Sequence, residues 1–147
     1  MQAVIFIGVQ ATGKSTFFKE RFADTHVRIN LDMLKTRNRE KLILDACLKA
    51  RQSFVVDNTN PTTKDRQRYI VPAKAAHFEI IGYYFESKIA ASLQRNQDRT
   101  GKQRIPVVGV RSTYFRLQIP SVAEGFDKLY YVKIDTSGSF VIDEWQE

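Results

Sequence analysis

The chain has 147 residues, 43% hydrophobic and 27% charged, which suits one globular domain with a real core and leaves no room for two. No stretch approaches the ~18 consecutive apolar residues of a membrane span, and the apolar start at 1–7 has no basic leader, so neither an anchor nor a secretory signal is expected. The 23 Lys+Arg against 16 Asp+Glu give a net charge of +7, which draws an anionic partner, nucleic acid first among them; the single Cys47 excludes an internal disulfide and suits a reducing cytoplasm.

Taken in chain order, apolar runs at 4–7, 27–29, 54–56, 78–84 and 129–134 read as strands buried on both faces. Helical spacing at 14–22 follows the first strand directly. A helix at 38–50 is expected to carry Leu42, Ala46 and Lys49 on one side with Ile43, Cys47 and Ala50 beside them, Cys47 in the core. The stretch 62–76 opens with Pro61 and two threonines, a good helix start, although Pro72 is expected to kink or interrupt it. Ser87 reads as the cap of a helix over 87–96. The turn Asp135-Thr136-Ser137-Gly138 between two β-rich runs predicts a terminal hairpin on the sheet edge. Strands alternating with helices imply an α/β fold, a parallel sheet with right-handed crossovers and helices on both faces.

Gly8-Val9-Gln10-Ala11-Thr12-Gly13-Lys14-Ser15 matches the phosphate-binding P-loop and has the context that motif needs, a strand before it and a helix after it. The architecture is then that of a P-loop NTPase. Amides of Gly8, Gln10, Ala11, Thr12 and Gly13, and of Lys14, Ser15 and Thr16 at the helix start, are expected to face the ATP phosphates. Lys14 is expected on the β/γ-phosphates and the Ser15 hydroxyl on Mg²⁺. Such a loop does not name the phosphoryl acceptor.

Three further features fall at strand ends, where parallel α/β sheets bind ligands. Asn30-Leu31-Asp32 follows the second strand, so Asp32 either accepts the proton of an attacking hydroxyl or caps the next helix. Asp57, ending the run Phe54-Val55-Val56, has the Walker B position for Mg²⁺, while Asn58-Thr59-Asn60-Pro61 is also good turn chemistry. Arg95 and Arg99, in a basic stretch that reads as a lid over about 95–106, have i,i+4 spacing and could grip the transferring phosphate together or simply face solvent.

These features in this order resemble the kinase domain of the 5′-polynucleotide kinases, phage and mammalian, from the P-loop to about residue 132. Asp57-Asn58-Thr59-Asn60-Pro61 and Ala123-Glu124-Gly125-Phe126 look like the mammalian branch, and Arg95-Asn96-x-x-Arg99 like the phage branch. The resemblance implies Asp32 as general base, Lys14 and Arg99 as transition-state stabilisers, and Arg95 as a second lid contact. It also implies Lys35, Asn58, Thr59 and Arg66 as acceptor contacts, with a 5′-OH end of DNA or RNA as the acceptor and nucleic-acid repair as the setting. Lys35 stands where the phage enzyme has an arginine, which keeps the charge and loses the bidentate fork. No Asp-x-Asp phosphatase signature is found, so a stand-alone kinase without a membrane partner is expected.

A small-molecule P-loop kinase acting on a sugar, nucleoside or nucleotide-sugar shares the mechanism. It lacks the basic path that Lys35, Arg37, Arg39, Lys64, Arg66 and Arg68 would form for a nucleic acid. A nucleotide-gated binding module needs no acceptor base, so Asp32 weighs against it. His26 and His77 have no metal-ligand spacing, and the aromatic run at 78–85 reads as core. Composition is silent on the oligomeric state.

Overall fold

A computed structural model describes residues 1–101 and 105–147, with residues 89–92 as backbone only; Lys102, Gln103 and Arg104, within the predicted lid, lie outside the described residues. The strands are β1 (Gln2–Ile7), β2 (Val27–Ile29), β3 (Phe54–Val56), β4 (Glu79–Phe85), β5 (Lys128–Ile134) and β6 (Phe140–Glu144). They form one sheet in the order β2-β3-β1-β4-β5-β6. All neighbours are parallel except β5 and β6, which pair antiparallel from Tyr130 opposite Glu144 to Ile134 opposite Phe140. The predicted α/β architecture and its edge hairpin are therefore both present.

Strand periodicity divides the core. Along β1, Ala3, Ile5 and Ile7 join Ile29, Leu44, Cys47, Tyr69 and Ile70 on one face, while Val4 and Phe6 join Phe17, Phe18, Phe22 and Phe85 on the other. Burial of both faces is why these strands read as unbroken apolar runs. Gly82 is the one place on β4 where a side chain cannot fit, because a Cβ would stand 2.7 Å from Leu129 Cδ1 and from Phe126 Cε1.

The helices are α1 (Lys14–Arg21), α2 (Leu31–Leu34), α3 (Arg37–Ala50), α4 (Thr63–Ala75), α5 (Ile89–Gln97) and α6 (Val107–Arg116). Thr62 starts α4 with a capping box: its hydroxyl accepts from Asp65 N at 3.1 Å, and Asp65 Oδ2 accepts from Thr62 N at 3.3 Å. Pro72 does not interrupt that helix. It lies in the last turn, where its missing N–H costs one bond, and its own carbonyl accepts from Ala76 N at 3.1 Å. In α3 the inward face is Glu40, Leu44 and Cys47, and Leu42 is exposed, so the predicted face is rotated although Cys47 is core. Among the described residues no helix is long and apolar enough to cross a membrane.

Arg66 of α4, expected to reach an acceptor, is instead a fully buried structural cation. Its Nε donates to Glu124 Oε1 at 2.7 Å, Nη1 to the carbonyls of Asn60 and Pro61, and Nη2 to Gln118 O and Glu124 Oε2. All five N–H groups of the guanidinium are spent inside the protein. Glu124 in turn accepts from Ser121 N at 2.8 Å, starting the short 3-10 turn Val122–Glu124. Replacing Arg66 by Ala strands a buried carboxylate, so a loss of about 3–5 kcal/mol in unfolding free energy is expected from urea denaturation. A loss under ~1 kcal/mol would contradict the buried ion pair.

Candidate active site

The loop between β1 and α1 turns sharply at Gly13, whose φ of 93° is open to glycine and strained for other residues. Its remaining parts are tied from several sides. Gly8 N donates to Thr59 O at 3.0 Å, and the Thr12 hydroxyl donates to Val9 O at 2.9 Å. Val9 N donates to Ser87 Oγ at 3.2 Å, and that hydroxyl donates to Phe85 O. Ser87, expected to cap a helix, thus braces the P-loop; α5 begins after Lys88 with no side-chain cap.

A cleft of about 240 Å³ opens where the strands end. Gln10, Ala11, Lys14 and Ser15 line it from the loop, Asn30, Leu31 and Asp32 from β2 and α2, Asp57, Asn58 and Thr59 from the end of β3, and Arg99 and Ile105 from the lid side. Gly8 and Thr12 do not line it, being used as loop braces, and Thr16 is exposed on the first turn of α1.

Lys14 is buried, and its ammonium donates to Gly8 O at 3.0 Å and Val9 O at 2.6 Å. Burial lowers its pKa to about 8; Asp57 and Asp32 oppose that shift and Arg99 adds to it. Asp57, Asp32 and Arg99 all lie near enough to the Lys14 ammonium to act on its charge.

Asp32 is not the cap of α2. Asn30 is: its Oδ1 accepts from Met33 N at 3.0 Å, and its Nδ2 donates to Asp57 O at 2.6 Å. Asp32 is left exposed on the cleft side of a four-residue helix. The position of α2 is held from behind, where Asn58 Oδ1 accepts from Leu31 N at 2.9 Å. The Asn58 amide donates to Glu40 Oε2 at 3.0 Å, and the Tyr69 hydroxyl donates to the same oxygen at 2.9 Å. Arg37, itself half exposed, donates to Glu40 Oε1 at 2.9 Å and completes the set of partners around this buried carboxylate. Asn58, expected to touch an acceptor, is occupied in this scaffold. Thr59 lines the cleft, and Lys35 is an exposed residue closing α2, outside the lining.

The two lid arginines do not share a helix face, because α5 ends at Gln97. Arg95 Nη1 donates to Ala11 O at 3.4 Å, while Arg99 lines the cleft. Burial lowers the Arg99 pKa and Asp32 opposes the shift. Asn96 ties the lid base, donating to Ile105 O and accepting from Ile105 N at 2.7 Å.

Ser15 Oγ and Asp57 Oδ2 lie 3.3 Å apart and Asp57 is 2% exposed. Two hard oxygens at a cleft wall, with room for water ligands, are a donor set that fits Mg²⁺. Arg28, which no sequence motif singles out, places a positive group on this pair: its Nη2 is 2.8 Å from Asp57 Oδ2 and 3.1 Å from Ser15 Oγ. The signal available was its parity, two residues before Asn30 on an extended strand.

The chain is similar to known proteins in sequence and in fold. A family model described as AAA domain matches residues 4–114. A bifunctional polynucleotide phosphatase/kinase of Schizosaccharomyces pombe is 30% identical over 129 residues, covering 85% of this chain and 32% of that protein. A putative bifunctional polynucleotide phosphatase/kinase of Acanthamoeba polyphaga mimivirus is 25% identical over 147 residues, covering 99% of this chain and 31% of that protein. The chain thus spans about a third of the length of these curated relatives. Among solved structures, a gluconokinase from Sinorhizobium meliloti superposes with a TM-score of 0.62 at 17% identity, covering 90% of this chain and 82% of that one, a likeness of fold.

Proposed function

Since the chain belongs to the AAA domain family, as a P-loop kinase domain, we propose that it transfers the γ-phosphate of ATP to the 5′-hydroxyl of a polynucleotide. The observation that carries this reading is the meeting of Lys14, Ser15, Asp57, Asp32 and Arg99 around one cleft. The named relatives support the choice of a polynucleotide acceptor.

In this reading the ATP phosphates lie along the amides of the loop at the start of α1. Lys14 exchanges its bonds to Gly8 and Val9 carbonyls for the β/γ-phosphates. Ser15 and Asp57 would hold a Mg²⁺, which would offset charge on those phosphate oxygens. The 5′-oxygen attacks the γ-phosphorus as the bond to the β–γ bridging oxygen breaks, and ADP leaves. The hydroxyl proton passes to Asp32. Arg99 faces the charge that builds on the phosphoryl oxygens, and Arg95 keeps the lid helix on the P-loop through Ala11.

One observation favours a second reading, a kinase of a small hydroxylated molecule. Arg66 drops out of the basic path that a polynucleotide would follow, because it is buried against Glu124. The assay that decides offers the protein γ-labelled ATP with 5′-OH DNA and RNA oligonucleotides and a panel of sugars and nucleosides. Label on an oligonucleotide is expected; label on a sugar alone would overturn the polynucleotide acceptor and leave the cleft chemistry standing.

A further inference from the structure

Arg28 spends its side chain on the two oxygens assigned above to the metal. Its Nε donates to Asp57 Oδ2 at 2.9 Å, and its Nη2 lies 2.8 Å from the same oxygen and donates to Ser15 Oγ at 3.1 Å. The acid is 2% exposed at its side chain and the arginine 26%, so the pair is only partly screened by water. In this same position the guanidinium carbon stands 5.8 Å from the centroid of the Phe18 ring, on α1 beside the P-loop, so an aromatic face is already beside it. The Arg28 side chain is 26% exposed, so one side of it faces solvent.

We propose that Arg28 is a built-in counter-cation of the Ser15–Asp57 pair, which a divalent cation arriving with nucleotide has to displace, so that this arginine raises the metal concentration the site requires. The inference rests on the reading of Ser15 and Asp57 as metal ligands and is independent of the acceptor. A guanidinium and a divalent ion compete for Asp57 Oδ2, because two cations a few ångströms apart on one buried carboxylate repel. A guanidinium that gives up Asp57 can stay beside the Phe18 face it already meets, so that contact need not be lost with the ion pair. Arg28 is thus a residue that tunes metal loading without touching the transferred group.

The test is Mg²⁺ titration of the binding of a fluorescent ATP analogue, with no acceptor and no turnover. Arg28→Gln is expected to lower the half-saturating Mg²⁺ about three- to tenfold, the size of a partly exposed charge-assisted contact. Arg28→Lys should fall between the variant and the wild type, since it keeps the charge and loses the fork. Lys49→Gln removes one charge from the exposed last turn of α3, at the end of the sheet away from the cleft, and should move the midpoint less than about twofold. In an Asp57→Asn background Arg28→Gln should add nothing. An unchanged or raised midpoint in Arg28→Gln, with Asp57→Asn still shifting the Mg²⁺ dependence, overturns the role of Arg28 and leaves the metal site intact. No effect of Asp57→Asn on the Mg²⁺ dependence overturns both. Should Arg28→Gln fail to fold, the intermediate shift in Arg28→Lys remains the deciding measurement, and its absence counts against the proposal.

Discussion

Lys14→Ala is expected to bring phosphoryl transfer to any acceptor down by at least about 10³-fold, the upper end of what one preorganised charge contributes. The ammonium has no substitute within the loop: it is the only cation that the P-loop itself carries, and Arg99 approaches from the lid side of the cleft. Its burial makes the two expected readouts separable. Truncation loses the bonds to Gly8 O and Val9 O, but it also removes an ammonium whose burial lowers its pKa to about 8, so the two changes oppose each other in stability. Thermal melting without nucleotide should therefore stay near the wild-type value. Stabilisation by added ATP·Mg²⁺, which follows affinity for the folded state, should largely vanish. A variant that keeps more than a tenth of the wild-type rate would remove the P-loop mechanism from consideration. A variant that melts far below wild type would make Lys14 chiefly a brace of its own loop.

Parts of this molecule follow from local sequence and parts do not, and the division has a physical basis. Strands β1 and β3 were legible because burial on both faces forces continuous apolar runs, and the P-loop because its chemistry needs glycine, lysine and serine at fixed spacing. The start of α4 was legible because a capping box is contained within four residues. What was misread depends on partners far along the chain. Glu40 is buried because Arg37, Asn58 and Tyr69 satisfy it, so the inward face of α3 includes a carboxylate that a hydropathy pattern assigns to solvent. Arg66 looked like a nucleic-acid contact because Gln118 and Glu124, more than fifty residues away, are invisible in its neighbourhood. Ser87 looked like a helix cap because its spacing suits one, and only the sheet order brings it to Val9. Arg28 sits in a strand of three residues with no motif around it, and its meaning appears only once β2 pairs with β3 and brings it to Asp57.

The same reasoning gives the most discriminating expectation, that Asp32→Asn slows transfer to a 5′-OH oligonucleotide by roughly 10²–10⁴-fold while leaving nucleotide binding nearly intact. Two structural facts separate base from cap. Asn30 already supplies the capping oxygen of α2, accepting from Met33 N, so the Asp32 carboxylate is not needed to start the helix. The helix is also held by Asn58 Oδ1 on Leu31 N, and that bond is untouched by the substitution. Asparagine preserves size and hydrogen-bonding shape and removes the charge that can take up a proton. Arg99→Ala acts on the other side of the cleft and should slow transfer by loss of positive charge, and it should also weaken the response of the lid to nucleotide. Single-turnover transfer measured beside calorimetric ATP binding tells the two apart: Asp32→Asn changes the rate alone, Arg99→Ala changes both. Turnover of Asp32→Asn within tenfold of wild type would place the proton acceptor elsewhere. The other carboxylate on the cleft among the described residues, Asp57, is assigned with Ser15 to the metal, so in that case a water molecule rather than a second side chain would have to take the proton.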